Sequence, residues 1–561
     1  MLLPAVFFSS ILHITNAVST TTILHLTDVH IDPYYVTGSL ASCYCETHEV
    51  CPRFPPSCGM ASNASFAAGP FGNSENNCAT PPALWASATT FLASEPATAA
   101  PSFVFFTGDF GEAGLSAECG PPPLPSAEEQ ILDVVAHGMA TARALFPRAR
   151  VFGCFGNHDS APGDYFGSSA EMQWLYASLG AASGPFGRDL AGDAAALASL
   201  QSSGWYTTTL TPQTALIALN TNYWTTLNPA NSGNTSAAGL LGEAQFAWLA
   251  ATLEALAAAN RSALVIGHIP PSPGAWHPPN FLRYRVLLTR FPVVLAQFFG
   301  HNHLDEFILV RACSPTPPPP LPYPGPWVET RDIKWCSGGN LPVGDVWGRG
   351  TQPDAPHCPY VPASNGTAEG RVALCEGVCG NLTACRGFTW YPDGGGGYGA
   401  CCFRTSCDEK PPAPGSTAVC FEKEGGAGAC GGAQEPLHTL YVTPSLTEGF
   451  PASNPGLRAF TVDAGTLAPL EATTYWANLS LANENWALAW QLEYAATQQY
   501  GLADLSAAEW GRAVERMRAN GSAEFDAFWR ATVKGYEGLG PCDDACKGGV
   551  LARLNGTADG M

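Results

Sequence analysis

The chain has 561 residues and carries 47 Asp and Glu against 26 Lys and Arg, a formal net charge of −21. A surface of that sign repels polyanions, because affinity for nucleic acids rests on Lys and Arg neutralising phosphates, so a nucleic-acid polymer is excluded as a partner. The length allows two or three domains with an ample core, and 20 cysteines point to an oxidising compartment.

In chain order, residues 1–18 read as a secretory signal peptide. An apolar run over 2–17 ends in small residues at Ala17-Val18-Ser19, without the usual positive start. Five strand-like runs follow, at residues 21–26, 102–106, 151–155, 263–266 and 293–299. Each is β-branched or aromatic, and each ends just before a polar motif. The motifs are Asp28-Val29-His30, Gly108-Asp109, Gly156-Asn157-His158-Asp159, Gly267-His268 and Gly300-His301-Asn302-His303. Layered α/β folds gather loops at the C-terminal ends of their strands, so the motifs are expected to share one edge. Gly108, Gly156, Gly267 and Gly300 are expected to turn the chain sharply there. Cys58 and Cys78 are expected to close a loop between the first two motifs.

A composition break begins at Cys313. The proline-rich run 314–322 opens an insertion to residue 434 that holds eleven of the cysteines and one histidine, His357. So few imidazoles argue for disulfides over a zinc site. Beyond it, residues 484–500 and 506–536 carry Trp486, Trp490, Tyr494, Trp510, Val514 and Met517 at helical spacing, with Ser506 and Glu509 as a capping box. Core packing explains that stripe; a lipid-facing surface is the alternative. Cys542 and Cys546 are expected to pair. Eight glycosylation sequons, at Asn63, Asn234, Asn260, Asn365, Asn381, Asn478, Asn520 and Asn555, fit a secreted or lysosome-like setting. No later run is long enough to span a membrane, and the tail has no GPI signal.

Carboxylates, an amide and imidazoles in this order suit two divalent ions sharing one carboxylate. Asp28, His30, Asp109 and His303 are assigned to one ion; Asp109, Asn157, His268 and His301 to the other, with Asp109 bridging. His301 and His303, two apart, share a face if their segment is extended. His158 is placed beside the ions as general acid for the leaving oxygen. Asp159 either orients that ring or caps a helix. His25, His137 and His438 read as hydrogen-bonded core residues, whereas His277, next to Trp276, could reach a substrate.

This ordered set resembles the calcineurin-like metallophosphoesterases, with their D-x-H, G-D, G-N-H-D/E, G-H and G-H-x-H motifs. Within them it looks like the acid sphingomyelinase and acid sphingomyelinase-like phosphodiesterase branch. The segment from His25 to Tyr35, Pro70-Phe71-Gly72, His268-Ile269-Pro270-Pro271, Gln297 to His301, and Thr474 to Ser480 carry that resemblance. It implies an α/β fold, a four-layer α/β/β/α sandwich, with a disulfide-rich inserted module and a helical C-terminal region. The catalytic domain would take residues 19–312 and 435–483, the insertion 313–434, and the helical region 484–561. Cys375, Cys379, Cys385 and Cys401-Cys402 in the insertion resemble a PAN/apple module, which implies a glycan or protein ligand.

The resemblance also implies two zinc ions and a phosphodiester, small and soluble or a lipid head group, cleaved by in-line attack of a metal-bound hydroxide in a monomeric enzyme. Two departures stand out. Ala113 occupies the place of a histidine in the family's G-D-x-P-x-H segment, and Asp28 comes too early for a saposin-like domain ahead of it. The alternatives are a phosphomonoesterase and a non-catalytic binding protein. The purple acid phosphatase pattern would need a tyrosine soon after Gly108-Asp109, and none precedes residue 165.

Overall fold

The computed structural model describes residues 19–311 and 435–556, apart from 64–65, 74–77, 112–118, 121–125, 232–235, 273, 448–451 and 539, and only strand segments within 312–434. The signal-peptide reading, Ala113 and the cysteine pairing of the insertion lie outside the described residues.

The strands are β1 (Thr20–Leu26), β2 (Phe103–Phe106), β3 (Arg150–Gly153), β4 (Tyr206–Thr209), β5 (Thr214–Ala218), β6 (Ser262–Ile266), β7 (Val294–Phe299) and β8 (Glu306–Arg311). The insertion adds β9 (Val328–Glu329), β10 (Thr351–Gln352), β11 (Ala355–Val361), β12 (Gly387–Tyr391), β13 (Gly399–Arg404) and β14 (Val419–Glu422), which form an antiparallel sheet of their own. The chain then returns as β15 (Pro436–Val442), β16 (Gly456–Asp463), β17 (Pro469–Ala477) and β18 (Trp490–Ala495).

Two six-stranded mixed sheets result, ordered β18-β17-β16-β1-β2-β3 and β4-β5-β6-β7-β15-β8. Neighbours β1, β2 and β3 run parallel in the first, and β5, β6, β7 and β15 in the second. Parallel strands are usually buried on both faces, which is why these runs are apolar throughout rather than alternating. Alternate residues still choose different partners. Leu216, Leu264, Ile266 and Phe298 face the first sheet, where Phe298 meets Phe105 and Phe460 at ring distances of 5.7 and 5.0 Å. Ile217 and Val265 instead pack under the helices 237–258 and 278–290 through Phe246, Leu249, Leu253, Tyr284 and Leu287. Helices 82–94 and 127–145 cover the first sheet with Leu84, Trp85, Leu92, Ile131, Val135 and Met139. The four layers α/β/β/α follow, and each fully buried Leu or Phe contributes ~1.5–3 kcal/mol. Helix 127–145 starts in a complete capping box between Ser126 and Glu129 and ends ahead of Pro147.

The C-terminal stretch departs from the helical expectation. Residues 490–495 form β18, antiparallel to β17 at the sheet edge, while a short helix covers Leu479–Asn485. Apolar residues at 486, 488, 490, 492 and 494 satisfy a period of two, yet 486, 490 and 494 also lie four apart. The free edge of β17 decides between the two periods. Further on, Gly521, at φ 66°, splits the expected long helix into 507–517 and 523–532. Ser506 caps the first, but the Glu509 carboxylate accepts from the Ala503 N–H, so half the capping box forms. Trp510 stacks on Phe307 at 4.0 Å and donates to the Tyr441 hydroxyl. Val514 and Met517 are buried beside it, so this part of the stripe is core, whereas Trp486 is 70% exposed.

Cys58 pairs with Cys43 and Cys78 with Cys45, correcting the expected Cys58–Cys78 loop; Cys51–Cys119 and Cys542–Cys546 also form. Spacing alone could not choose among the cysteines of residues 43–78. His25 and His438 are buried and hydrogen-bonded, to Thr107 and Thr443 and to Gln297 respectively. His137 is not a core residue: it lies on the exposed face of helix 127–145.

Candidate metal centre

Strands β1, β2, β3, β6 and β7 all end at the same edge of the stacked sheets, and each delivers its candidate ligands within four residues of its last residue. The backbone there is unusual. Asp28, His30, Asp109, His301 and His303 adopt φ between 39° and 72°, the left-handed region that side-chain-bearing residues seldom enter. Such conformations persist where surrounding structure holds them, and they cluster at functional sites. The segment at His301 and His303 is therefore not extended, and the two rings diverge to different partners.

All seven candidate ligands meet. Asp28, His30 and His303 bring ligating atoms within 4.8 Å of one another, and so do Asp109, His268 and His301. In the first group His303 Nε2 lies 3.3 Å from Asp28 Oδ1 and 3.2 Å from His30 Nε2. In the second, His268 Nε2 is 3.1 Å from Asp109 Oδ2, and Asn157 Oδ1 lies 2.9 Å from His268 and 3.0 Å from His301 Nδ1. Asp109 Oδ2 is also 3.6 Å from His30 Nε2, which puts it between the groups. Two imidazole nitrogens converging on one point suit a cation between them. The donor set of carboxylates, amide and imidazoles fits divalent metal ions.

Neighbouring groups fix these side chains. His30 Nδ1 bonds the Gly111 carbonyl and His268 Nδ1 the Thr107 carbonyl, which leaves each Nε2 for a ligand. The Thr27 hydroxyl and the His301 N–H both donate to Asp28. Asp164 accepts from Asn157 Nδ2 at 2.8 Å and so aims Oδ1 at the histidines. Sequence reading missed Asp164, because it lies seven positions beyond Asn157 in a loop with no pattern linking the two.

Asp159 neither orients the His158 ring nor caps a helix. Its carboxylate accepts from the backbone N–H of Asp109, Phe110 and Gly156, tying two motif loops together. His158 donates its backbone N–H to Asp109 Oδ1, and its half-buried ring lies 5.5 Å from that of His30. His277 is only partly exposed; its backbone N–H donates to the Trp224 carbonyl.

The motif glycines serve mainly for close approach. Of the four, only Gly108 has a positive φ, 95°. A Cβ on Gly156 would stand 2.0 Å from Asp109 Oδ1, and one on Gly300 would stand 2.3 Å from Asp28 Oδ2.

The electrostatics follow from burial. Burial pushes His30 down to about 3 and His301 down to about 4, so both rings are neutral and ready to ligate. Burial opposes a charge on His268 as well, but Asp109 and Asp28 outweigh it and raise the ring to about 9. Burial likewise opposes ionisation of Asp28 and Asp109, yet the surrounding histidines hold both carboxyls below their usual range.

Residues 21–305, more than half of the chain, match the family model of the calcineurin-like phosphoesterases, and residues 435–554 match that of the acid sphingomyelin phosphodiesterase C-terminal region. The chain belongs to the calcineurin-like phosphoesterases, metal-dependent hydrolases, in the acid sphingomyelinase-like branch. Its relatives include the cyclic GMP-AMP phosphodiesterase SMPDL3A of Rattus norvegicus, 23% identical over 93% of this chain and 86% of that one. The human acid sphingomyelinase-like phosphodiesterase 3b is 24% identical over 93% and 85%. Sphingomyelin phosphodiesterase B of Dictyostelium discoideum is 22% identical over 96% and 63%. A dinuclear metal centre is the family's cofactor, and the two clusters supply candidate groups for it. Among the described residues, no helix is long and apolar enough to cross a membrane.

Proposed function

We propose that this chain is a secreted phosphodiesterase whose two ions are zinc, held by Asp28, His30, Asp109 and His303 and by Asp109, Asn157, His268 and His301. The observation that carries the reading is the meeting of all seven side chains at one sheet edge, with Asp109 Oδ2 between the two groups. When bound, such a pair of ions neutralises phosphoryl oxygens and supplies the nucleophile for in-line displacement. The chain's own part is orientation and proton transfer. Asp109 joins the two groups, Asp159 fixes the loop that carries it, and His158 stands free of the ligand set to protonate the leaving oxygen.

A phosphodiester of nucleotide type is the preferred substrate, in line with relatives named for cyclic GMP-AMP that align along 93% of this chain. Sphingomyelin is the second reading, favoured by exposed Leu481, Trp486 and Leu492 in the C-terminal region. Four disulfides among the described residues and exposed sequon asparagines at 63, 260 and 520 support secretion.

The deciding experiment is hydrolysis of bis(4-nitrophenyl) phosphate by the purified chain near pH 5, beside the monoester and a chelator-stripped control. Metal-dependent preference for the diester is expected, after which cyclic dinucleotides and sphingomyelin vesicles would be compared. No turnover of either ester by zinc-loaded protein would sink the enzymatic reading.

A further inference from the structure

His303 differs from the other histidines that offer Nε2. The rings of His30 and His268 take their direction from main-chain carbonyls at Nδ1, whereas His303 Nδ1 is buried with no hydrogen-bond partner among the described residues. Its ring also stands on a left-handed backbone, φ 57°, in a loop that must be held from outside. What holds it comes from the far end of the chain. Lys534 is fully buried, and its ammonium donates to the His303 carbonyl at 2.8 Å and to the Ser453 hydroxyl at 2.8 Å. Two residues earlier, the Thr532 carbonyl accepts from the Asp305 N–H at 3.0 Å. The stretch 532–534 thus grips the ligand loop at two main-chain atoms, on either side of residue 304.

Lys534 is itself fixed. It sits just past helix 523–532 at φ 51°, its N–H donates to Ala531, and its carbonyl accepts from Asn454 Nδ2. Burying an ammonium is costly unless it is hydrogen-bonded and compensated by charge. A buried carboxyl that feels this ammonium is Glu493, the extra residue in a bulge between β17 and β18: burial pushes it well above the usual carboxylate range, and Lys534 and Arg458 oppose that shift. Bulges re-aim side chains, and this one turns a carboxyl inward at a sheet edge.

We infer that Lys534 is a positioning residue for the metal centre: by holding the His303 carbonyl it aims the His303 ring at the ion shared with Asp28 and His30. The inference rests on the metal-centre reading but not on the substrate. Nor does it involve proton transfer.

The test is metal binding by the full chain. Wild type, Lys534→Met and, as reference, His303→Ala are stripped with chelator, shown to fold by thermal melting, and titrated with Zn2+ against a chromophoric competitor. Supports outside the ligand set are worth about 10–100-fold in metal affinity. Lys534→Met is therefore expected to weaken by that factor the same binding step that His303→Ala removes, and to leave the other step unchanged. A merely structural lysine would move the melting midpoint and neither step. Two unchanged steps, or two steps weakened alike, would overturn the inference. Should the metal-free single variant fail to fold, Lys534→Met is combined with Glu493→Gln, which removes the buried carboxyl that Lys534 favours in its charged form, and is read in the same way. No zinc binding by the wild-type chain would overturn the metal-centre reading and this inference with it.

Discussion

Residues 21–305 hold every candidate ligand, and residues 435–556 hold none, yet neither region makes sense without the other. The later region supplies β15 to the interior of one sheet and β16, β17 and β18 to half of the other. It also reaches the centre through Lys534 and Thr532, which touch main-chain atoms of the His303 loop rather than ligating atoms. The difference teaches that ligand chemistry and ligand geometry can be housed far apart in a chain. It also gives a physical reason why two family models are found together here.

Substitutions can break this comparison from either side. In the ligand-bearing region, Asp109→Asn removes the carboxylate between the groups. It is expected to abolish both zinc-binding steps and to cut diester hydrolysis by about 10⁴-fold or more. Metal content by elemental analysis checks this, and a normal zinc content would overturn the bridging assignment. His158→Ala is expected to keep both ions and lose about 10²–10⁴-fold in turnover, most with poor leaving groups, as for a lost general acid. Undiminished turnover of an alkyl diester would remove His158 from the mechanism.

In the ligand-free region the expected damage is of another kind. Trp510→Ala deletes a ring stacked between Phe307 and its neighbours and should cost ~3–5 kcal/mol in denaturant unfolding, with zinc content unchanged in the folded fraction. A specific loss of metal instead would blur the division between the regions. Asp164→Ala sharpens it from within the first region. The Asn157 amide would lose the partner that aims it, and affinity for the ion shared with His268 and His301 should fall about tenfold. Equal effects on both binding steps would contradict that reading.

The same division governs what the sequence disclosed. The candidate ligands fall at strand ends, where residue type is dictated by chemistry, so Asp28, His30, Asp109, Asn157, His268, His301 and His303 stand out in order in the sequence. Their supports did not. Asp164 and Lys534 act through single hydrogen bonds, one reaching 231 residues back along the chain, and nothing local marks them. Asp159 reads from the sequence as a ring-orienting or helix-capping residue, whereas close packing of the Gly108 and Gly156 loops turns it toward three N–H groups. The apolar and aromatic run at 486–494 fits both a helix and a strand, and only the open edge of β17 resolves it. The Cys43–Cys58 and Cys45–Cys78 pairs likewise depend on how one loop folds, which spacing does not encode.

A pH dependence, which needs no substitution, separates the two ion sites within the first region. In the metal-free chain His268 is held protonated up to about 9, since Asp109 and Asp28 outweigh the opposing effect of burial. Its folded pKa lies above the ordinary 6.5, so the stability it contributes is fully present below pH 6.5 and disappears as pH rises through about 9. Zinc needs the neutral ring and must displace that proton. Affinity at the His268 and His301 site should therefore climb by about tenfold per pH unit between pH 6.5 and 8.5 and level off above 9. His30, already neutral because burial holds it near 3, contributes no such slope to the other site. Competition titrations at three pH values check this, and a flat profile at the His268 site would mean that the ring is neutral before metal arrives.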